Sequence, residues 1–494
     1  MKIVPNSPLK FTDELLKRTT SRCPICHVAC PAEVWRTGGI PSKVFLKRTC
    51  PEHGQASVCI ASDARFYWLA KGKEANSCCG GGASVLASRS SSAASPYPTT
   101  CCSADGSSSG TLGRNADPGD AIGVMEKLST CLALIEIVNS CNLSCPTCYA
   151  NSPVGTGQKV DAVPLADLKQ RIQGVIDRKG HIEILQLSGG EPTLHPQFFE
   201  LLAWLHSNPG IDYVLLNTNG IRIANDDAFA AELARTFRYG KFQLYLQFDG
   251  TQEAAQQSLR GADLRAKRER CLERCREMKI PVTLAMTVTM DNLPNLWDAI
   301  EFGLRWPNVR GISFQPMFGS GRIPNSVAAV YDRRNGNEDG GHRPPLQPLN
   351  TADIILAAVA QSNGKLRFED FTPLPCGDPN CATIGYLLKV GGQVRSVSDF
   401  IDFRNVQDFL GTKVRYKLED LMKCGCESEP LGELLKQFEL DESHTFRLFI
   451  KPFMDAATWD EDRIDRCCTH VIRPDGNLDS FCRYYSGFED CKVK

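Results

Sequence analysis

The sequence predicts an α/β protein whose centre is a partial or full (β/α) barrel with a cysteine-rich region on each side. Six short apolar segments alternate with helix-length segments between residues 132 and 316. The 23 cysteines are too many for thiols that only pack, and 494 residues suffice for about three domains. We expect a small metal-binding module over 1–72, a low-complexity linker or insertion over 73–120, the barrel core over 121–325 and a second metal-bearing domain over 326–494.

The composition is that of a soluble globular protein without an electrostatic footprint for nucleic acid. Lys and Arg number 56 and Asp and Glu 57, which gives a formal charge of −1. No run of about 18 apolar residues suggests a membrane span, and the first residues lack the apolar stretch of a signal peptide. We therefore expect a cytoplasmic protein, in which clustered cysteines are metal ligands or redox centres before they are disulfides.

The barrel prediction depends on six candidate strands separated by amphipathic helices. The strands are predicted at 132–138, 182–187, 212–217, 242–248, 282–289 and 311–316. Apolar residues recur at helical spacing over 163–179 and 293–305. Strands joined by helical crossovers form a parallel sheet, which right-handed connections curl into a barrel. Side chains that carry chemistry are then expected where the strands end.

The N-terminal region contains two cysteine knuckles. CPICHVAC and CPEHG place Cys23, Cys26, Cys50 and His53 at a spacing suited to tetrahedral zinc or to a rubredoxin-like iron. Cys30 is an alternative ligand, so the fourth partner stays open. The following segment, 73–120, is rich in Ser, Gly and Ala and is predicted to be disordered. Its pairs Cys78/Cys79 and Cys101/Cys102 are either auxiliary ligands or unstructured thiols.

The pattern most specific for chemistry follows the first barrel strand. Cys141, Cys145 and Cys148 have the spacing Cys-x3-Cys-x2-Cys. Three thiolates bind three irons of a 4Fe-4S cube and leave the fourth iron open to an exogenous ligand. An open position indicates chemistry rather than electron storage alone.

Polar motifs occur at the ends of the later strands. The candidates are Gly189, Gly190, Glu191 and Pro192 after the second strand, Asn217, Thr218 and Asn219 after the third, Gln247 and Asp249 after the fourth, with Thr287, Thr289 and Gln315 as weaker ones. The two glycines permit close backbone approach, and Glu191 can accept a hydrogen bond from an ammonium group. Each motif alone could be an ordinary turn or cap.

The C-terminal region contains eight further cysteines. The better candidate ligands are Cys376, Cys381, Cys467, Cys468 and Cys482, with Cys424 and Cys426 less certain and Cys491 last. Eight thiolates could hold two 4Fe-4S clusters, or one cluster with spare thiols. Such clusters would relay electrons, bind substrate or only stabilise the fold of the C-terminal region.

The cysteine spacing and the strand-end motifs resemble the radical S-adenosylmethionine (SAM) superfamily. This resemblance implies that Cys141, Cys145 and Cys148 hold a 4Fe-4S cluster whose open iron is chelated by SAM. Reductive cleavage of SAM then gives a 5'-deoxyadenosyl radical that abstracts hydrogen from an unactivated carbon. The Gly189–Pro192 motif resembles the one that holds the methionyl amino group, and the polar residues of the next strands would lie near SAM or substrate. Tyr149 either presents its backbone to adenine or packs in the core.

The tail phrases KPFMDAATWDEDRI, CCTHVIRPDG and SFCRYY, with CNLSCPTCYA and CPEHG, resemble a narrower group. It comprises tetraether-lipid synthases and dihydro-hydroxymethylpterin dimethyltransferases. A cysteine pair that the group usually has before the first strand is absent from 120–127.

The resemblance favours C–C bond formation on a lipid-like substrate and keeps C-methylation of a pterin-type heterocycle as the alternative. It implies one or two auxiliary 4Fe-4S clusters, a low-potential donor such as ferredoxin or flavodoxin, and a possible peripheral membrane contact. A non-catalytic multi-cluster electron carrier is a second alternative, which would not explain the open iron.

Overall fold

A computed structural model describes residues 12–69, 128, 130–323, 348–374, 377–390, 393–399 and 444–486. The predicted linker over 73–120 lies outside these residues. So do several cysteines discussed above, namely Cys78, Cys79, Cys101, Cys102, Cys376, Cys424, Cys426 and Cys491.

The N-terminal region folds as a four-stranded antiparallel sheet. Its strands are β1 (Glu14–Arg22), β2 (Ala29–Arg36), β3 (Val44–Cys50) and β4 (Gly54–Ala61), paired in chain order. Alternate residues such as Val34, Val44 and Leu46 are fully buried on one face. The β1–β2 connection and the β3–β4 turn carry the two cysteine knuckles.

All six predicted barrel segments are strands, so the predicted fold class is confirmed. They are β5 (Leu132–Val138), β6 (Ile182–Gly189), β7 (Ile211–Thr218), β8 (Phe242–Gln247), β9 (Val282–Val288) and β10 (Val309–Pro316). Each pairs in parallel with the next. The carboxyl ends of all six strands therefore meet at one end of the barrel.

Helices cover the outside of these strands. They are α1 (Leu165–Lys179), α2 (Phe198–Ser207), α3 (Ile221–Asn225), α4 (Asp227–Thr236), α5 (Glu253–Arg260), α6 (Arg265–Glu277), α7 (Leu296–Leu304) and α8 (Thr351–Gln361). The predicted apolar stripe of α1, which includes Leu168, Ile172 and Val175, is fully buried against the strands. Burial of these stripes forms the main hydrophobic core.

The C-terminal part of the chain extends the same sheet. It contains β11 (Thr372–Pro373), β12 (Thr383–Val390), β13 (Gln393–Ser396), β14 (Thr445–Ile450), β15 (Thr469–Ile472), β16 (Leu478–Ser480) and the short helices α9 (Glu461–Asp465) and α10 (Phe481–Tyr485). Strand β14 pairs in parallel with β10, and β15 in parallel with β5.

Eight parallel strands therefore follow each other in the order β15-β5-β6-β7-β8-β9-β10-β14. Lys451 Nζ, just after β14, donates to Thr469 Oγ1 on β15 at 3.1 Å, which links the two outer strands. Strands from both sides of the domain boundary predicted near residue 325 therefore belong to one sheet rather than to two separate sheets.

Polar contacts join the N-terminal sheet to the segment between β14 and β15. Lys17 Nζ lies 2.6 Å from the Asp460 carboxylate and 3.2 Å from that of Asp462. The buried Arg48 guanidinium donates to the carbonyls of Ala456 and Ala457 at 3.1 and 2.6 Å. Within the described ranges, no helix is long and apolar enough to cross a bilayer.

Candidate active site

The loop after β5 brings the three motif cysteines to the wall of a central cavity. Cys141, Cys145 and Cys148 all line this cavity. The loop is held by its backbone, because Cys148 and Arg322 exchange two hydrogen bonds of 2.9 Å and Arg322 Nε donates to the Cys145 carbonyl at 2.7 Å. Burial raises the pKa of the Cys141 thiol to about 12 and also raises that of Cys145. Buried thiols of this kind ionise when a cation or metal ion binds them.

The Gly189–Gly190 turn packs against the start of the cysteine loop. Gly190 N donates to the Val138 carbonyl at 2.8 Å, and a Cβ on either glycine would collide with a carbonyl of that segment. Gly189 also has a φ of +115°, which favours glycine. The turn therefore requires both glycines, as the motif predicted.

Glu191 is buried, and its carboxylate links the turn after β6 to the end of β7. One of its oxygens accepts hydrogen bonds from Thr193 N (3.2 Å), Thr193 Oγ1 (2.7 Å) and Thr218 Oγ1 (2.7 Å), and the other accepts from Asn219 N (2.8 Å). Burial raises its pKa although these hydrogen bonds oppose the rise. Pro192 opens the short turn that follows. The carboxylate is thus occupied in fixing the turn to β7, which leaves backbone atoms of the turn to meet a ligand.

Asn217 and Asn219 extend this network across the cavity wall. Asn219 Nδ2 donates to Asn142 Oδ1 in the cysteine loop at 2.7 Å, and Asn217 Nδ2 donates to Ser188 Oγ at 3.2 Å. Both asparagines line the cavity. The ends of β6 and β7 are thereby fixed relative to the three thiols.

Arg260, which sequence reasoning missed, unites the candidates of β8 and β9. Its guanidinium contacts Asp249 through Nε at 2.7 Å and Nη2 at 2.8 Å, and Nη2 also donates to Thr287 Oγ1 at 3.0 Å. With the Gln247 amide oriented to satisfy its neighbours, the Gln247 side-chain oxygen accepts from Arg260 Nη1 at 2.8 Å. Arg260 also reaches the Thr147 carbonyl, between two motif cysteines, at 3.2 Å.

The sequence gives one indication that Arg260 is buried, which is that it lies on the apolar face of α5. That face otherwise presents Ala255, Gln256 and Leu259. Burial is the largest single effect on Asp249 and opposes its ionisation, but the charge and hydrogen bonds of Arg260, the charge of Arg268 and the Thr287 amide together lower the pKa of this carboxyl. A second buried cation, Arg268, lies 3.6 Å from Asp249. The two guanidinium groups and the one carboxylate leave a net positive charge beside Cys145. This charge would stabilise an anionic cluster or the carboxylate of an amino acid.

The Tyr149 ring packs in an aromatic cluster with the C-terminal helix. Its centroid lies 4.8 Å from that of Tyr485 and 5.6 Å from that of Phe481, and its hydroxyl is 3.2 Å from Ser188 Oγ. Glu136 on β5 accepts from Tyr485 at 2.7 Å, and burial raises the pKa of this carboxyl. The ring of Tyr149 thus anchors α10 to the cysteine loop.

Three C-terminal candidate cysteines lie close together near β14 and β15. Burial, with the neighbouring Cys381 and Cys482, raises the pKa of Cys467 to about 12. Arg463 Nη2 lies 3.8 Å from Cys381 Sγ, and the backbone of Met454 donates to Cys482 Sγ at 3.3 Å. Buried thiols beside a buried guanidinium can hold a metal group.

Cys468 and the unpredicted Cys131 lie at the margin of this group. Cys131 N donates to the Cys468 carbonyl at 2.8 Å. Cys131 immediately precedes β5, and its position became evident only through the parallel pairing of β5 with β15. Cys376 lies outside the described residues, so the predicted ligand set is described in part.

The N-terminal candidates form a compact metal-binding group. Ligand atoms of Cys23, Cys26, Cys50 and His53 all lie within 4.8 Å of one another. Cys26 Sγ is 3.7 Å from Cys50 Sγ, and His53 Nδ1 is 3.6 Å from Cys50 Sγ. This set of three thiols and one imidazole fits tetrahedral zinc. Cys30 is buried alongside, with its thiol donating to the Val28 carbonyl at 3.3 Å.

The cavity itself follows the barrel axis and has a volume of about 390 Å³. Its wall contains the three motif cysteines at one end and residues such as Tyr239, Pro281 and Arg310, near the amino ends of the strands, at the other. This volume lies in the range of small-molecule sites.

Two family models match this chain. Residues 135–302 match the Radical SAM superfamily, and residues 15–62 match the HMPTM N-terminal zinc ribbon domain. The first match spans β5 to most of α7 and includes all three motif cysteines. The second spans the four-stranded sheet with its four clustered ligands.

Similar proteins of known name were found in three groups. The 7,8-dihydro-6-hydroxymethylpterin dimethyltransferase of Methanocaldococcus jannaschii is 26% identical, over 95% of this chain and 93% of that protein. The GTP 3',8-cyclase of Synechococcus elongatus is 26% identical, over 34% of this chain and 50% of the cyclase. The crystal structure of Streptococcus suis SuiB bound to S-adenosylmethionine matches with 16% identity and a TM-score of 0.32, over 38% of this chain and 40% of SuiB.

Proposed function

We propose that this chain is a radical SAM enzyme that activates a C–H bond of a small, flat, polar heterocycle of the pterin class and alkylates it at carbon. The observation that carries the proposal is a group of amides and hydroxyls on adjacent strands, which interrupts a cavity wall that is otherwise mostly apolar. The group consists of Gln186, Asn217, Gln243, Tyr245, Gln247, Thr283, Thr287 and Gln315. Barrel interiors are commonly packed with Val, Ile and Leu instead.

Amides and hydroxyls on neighbouring strands suit the edge of a heterocycle. Each amide offers a donor and an acceptor, as a pterin edge does. Gln315 Nε2 already donates to the Tyr245 hydroxyl at 2.8 Å, so these side chains are held in place before a ligand arrives. Phe318, Phe453 and Phe481 form an aromatic surface on the cavity wall, and the last two rings stack at 4.2 Å. A flat heterocycle can pack against such a surface.

The apolar part of the wall could also contact an acyl or isoprenoid chain, but such a chain could not hydrogen-bond to the amides and hydroxyls. The relative that matches over most of the chain is also named for a pterin. The group of amides and hydroxyls and the name of this relative together favour the pterin alternative over the lipid-like substrate that the sequence motifs favoured.

Membership of the superfamily implies a 4Fe-4S cluster and SAM, and the residues present fit both. When bound, they supply an organic radical able to remove hydrogen from an unactivated carbon. Cys141, Cys145 and Cys148 would hold the iron, and the Gly189–Gly190 turn would let SAM approach the backbone. Arg260, fixed by Asp249, presents charge to the cysteine loop. The aromatic cluster around Tyr149 excludes water from that end of the cavity.

Deuterium transfer tests the proposal. The reconstituted enzyme would be reduced anaerobically with SAM and 6-hydroxymethyl-7,8-dihydropterin deuterated at its aliphatic carbons. We expect one deuterium in the 5'-deoxyadenosine, detected by mass spectrometry, and no 5'-deoxyadenosine from the Cys145→Ala enzyme. A deuterated archaeal diether phospholipid is the matched competitor. Deuterium transfer from the lipid and none from the pterin would refute the proposal.

A further inference from the structure

We propose that the N-terminal group of three cysteines and His53, when it holds a metal ion, positions the C-terminal thiols, so that loss of this metal loosens the surroundings of Cys381 and Cys482. This role goes beyond the proposed function and does not depend on the substrate. Three polar links support it. They run from the N-terminal sheet, and from the segment that follows it, to residues that adjoin or contact the two thiols.

The first link lies directly beside Cys381. The backbone N of Trp68, which follows the N-terminal sheet, donates to Asn380 Oδ1 at 2.9 Å, and Asn380 Nδ2 donates to the Trp68 carbonyl at 2.7 Å. The Asp378 carboxylate holds the same turn, because it accepts from Asn380 N at 2.9 Å and from Arg466 Nη2 at 2.8 Å. The residue before Cys381 is therefore fixed to the backbone that leads out of the N-terminal sheet.

The second link runs from β1 to Arg463. Lys17 Nζ lies 2.6 Å from one carboxylate oxygen of Asp460, and Thr19 Oγ1 donates to the other at 2.8 Å. Asp460 is buried and directly precedes α9. Arg463 lies in this helix, and its Nη2 is 3.8 Å from Cys381 Sγ. The contacts of β1 thus determine where α9 places a guanidinium beside the thiol.

The third link runs through Arg48 to Cys482. The buried Arg48 guanidinium donates to the two carbonyls of 456–457 at 3.1 and 2.6 Å. The turn that contains these carbonyls begins at Met454, whose backbone N donates to Cys482 Sγ at 3.3 Å. The Asp455 carboxylate closes the turn by accepting from two of its backbone amides at 3.0 and 3.1 Å. The contacts with Arg48 and with the thiol therefore belong to one turn.

Arg48 also bridges the two chain segments that an N-terminal metal ion would join. It lies two residues before Cys50 on β3. Its Nη1 donates to Ser21 Oγ at 3.1 Å and to the Arg22 carbonyl at 3.2 Å, at the end of β1. Cys23 follows directly. A metal ion bound by Cys23 and Cys50 would fix the distance between the ends of β1 and β3, which the Arg48 guanidinium spans.

The metal-binding end of the sheet is packed mainly with cysteines. Among the residues that the structure describes, the buried cluster at the two knuckles consists of Cys23, Cys30 and Cys50, with Ile25 and Cys26 packed against it. A small site of this kind gains much of its folding free energy from the metal ion that it binds. Without the metal, we expect this end of the sheet to loosen and to release the turn over 454–457.

Hydrogen–deuterium exchange of the full-length protein, followed by mass spectrometry, tests this role. Cys26→Ala removes a ligand of the N-terminal metal, whereas Arg48→Gln keeps all four ligands and removes the third link. Arg18→Gln is the matched control, because this arginine of the same sheet is 76% exposed. We expect the amides of 452–465 to exchange about 10- to 100-fold faster in the first two variants and at the wild-type rate in the control.

Alkylation with iodoacetamide tests the thiols themselves. The labelled fraction of each cysteine is measured by mass spectrometry after digestion. We expect Cys381 and Cys482 to be labelled about 10- to 100-fold faster in Cys26→Ala, and Cys482 likewise in Arg48→Gln. Arg48→Lys can still donate to carbonyls and should give intermediate rates. Cys271, which is fully buried in α6, is the internal reference for the fold of the barrel.

Three outcomes would overturn the inference. Wild-type labelling of Cys482 in both variants would show that the thiol is held without the N-terminal sheet. Faster labelling in Arg48→Gln alone would show that the link does not depend on the metal. An equal acceleration at Cys271 would show that the whole barrel loosens, rather than the region joined to the sheet.

Discussion

The substitution Asp249→Asn tests how much the buried ion pair beside the cysteine loop contributes to stability. The Asp249 carboxylate is fully buried between Arg260, at 2.7 Å, and Arg268, at 3.6 Å. Asparagine has nearly the same shape and tolerates the residue's φ of +63°, so the substitution removes mainly the charge. It leaves two buried guanidinium groups without a counter-ion.

Removing one partner of a buried pair costs about 3–5 kcal/mol. In a domain of this size, about 2–4 °C of melting temperature correspond to each kcal/mol, so we expect a fall of roughly 6–20 °C. The assay is thermal unfolding followed by circular dichroism. Asp263→Asn is the matched control, because Asp263 pairs with Arg265 at the surface, where such pairs contribute about 0–1 kcal/mol.

The double variant Asp249→Asn/Arg260→Gln separates charge from shape. Because it removes one cation together with the anion, we expect it to lose less stability than the two single changes added together. Equal losses for Asp249→Asn and Asp263→Asn would refute the reasoning, as would strict additivity in the double variant.

Three further predictions concern other parts of the molecule. Cys26→Ala should lose the N-terminal metal and Cys30→Ala should keep it, as counted by elemental analysis; equal loss would place Cys30 among the ligands. Burial raises the pKa of Glu136, so its contribution to stability is complete below about pH 4.3 and is lost as pH rises through the higher folded value. Glu136→Gln should therefore gain stability relative to wild type between pH 4.5 and 7.5, and a constant difference in melting temperature would contradict this. Gly190→Ala, whose methyl group would strike the Ser140 carbonyl, should lower the melting temperature by several degrees, whereas Gly39→Ala, with open space around it, should not.

The sequence was most informative where structure is local. The predicted strand at 132–138 is β5 to the residue, and the other five strands differ from prediction by at most two residues at either end. Period-two burial and helical spacing are properties of short segments, so they can be read without knowing the fold. The two cysteine knuckles of the N-terminal sheet are equally local.

Contacts between distant segments were beyond such reasoning. Strands β14 and β15 are short, and only their parallel pairing with β10 and β5 makes them part of the barrel. Arg260 similarly looks like one more charged residue of a helix until the fold places it against Asp249. That the amides and hydroxyls of neighbouring strands line one cavity also became evident only once the facing side of each strand was known.

The addition of β14 and β15 at the two ends of the six-stranded parallel sheet sets an order of events during protein synthesis. The cysteine loop ends at Cys148, and the segment that packs over it begins at Thr445, roughly 300 residues later. At about 5–20 residues per second, the ribosome synthesises that segment about 15–60 s after the cysteine loop. We expect Cys141, Cys145 and Cys148 of the nascent chain to be accessible to solvent during this interval, so that iron can be inserted before α10 packs against the loop. Pulse-labelling with a thiol reagent on stalled ribosomes would measure the accessibility of these thiols.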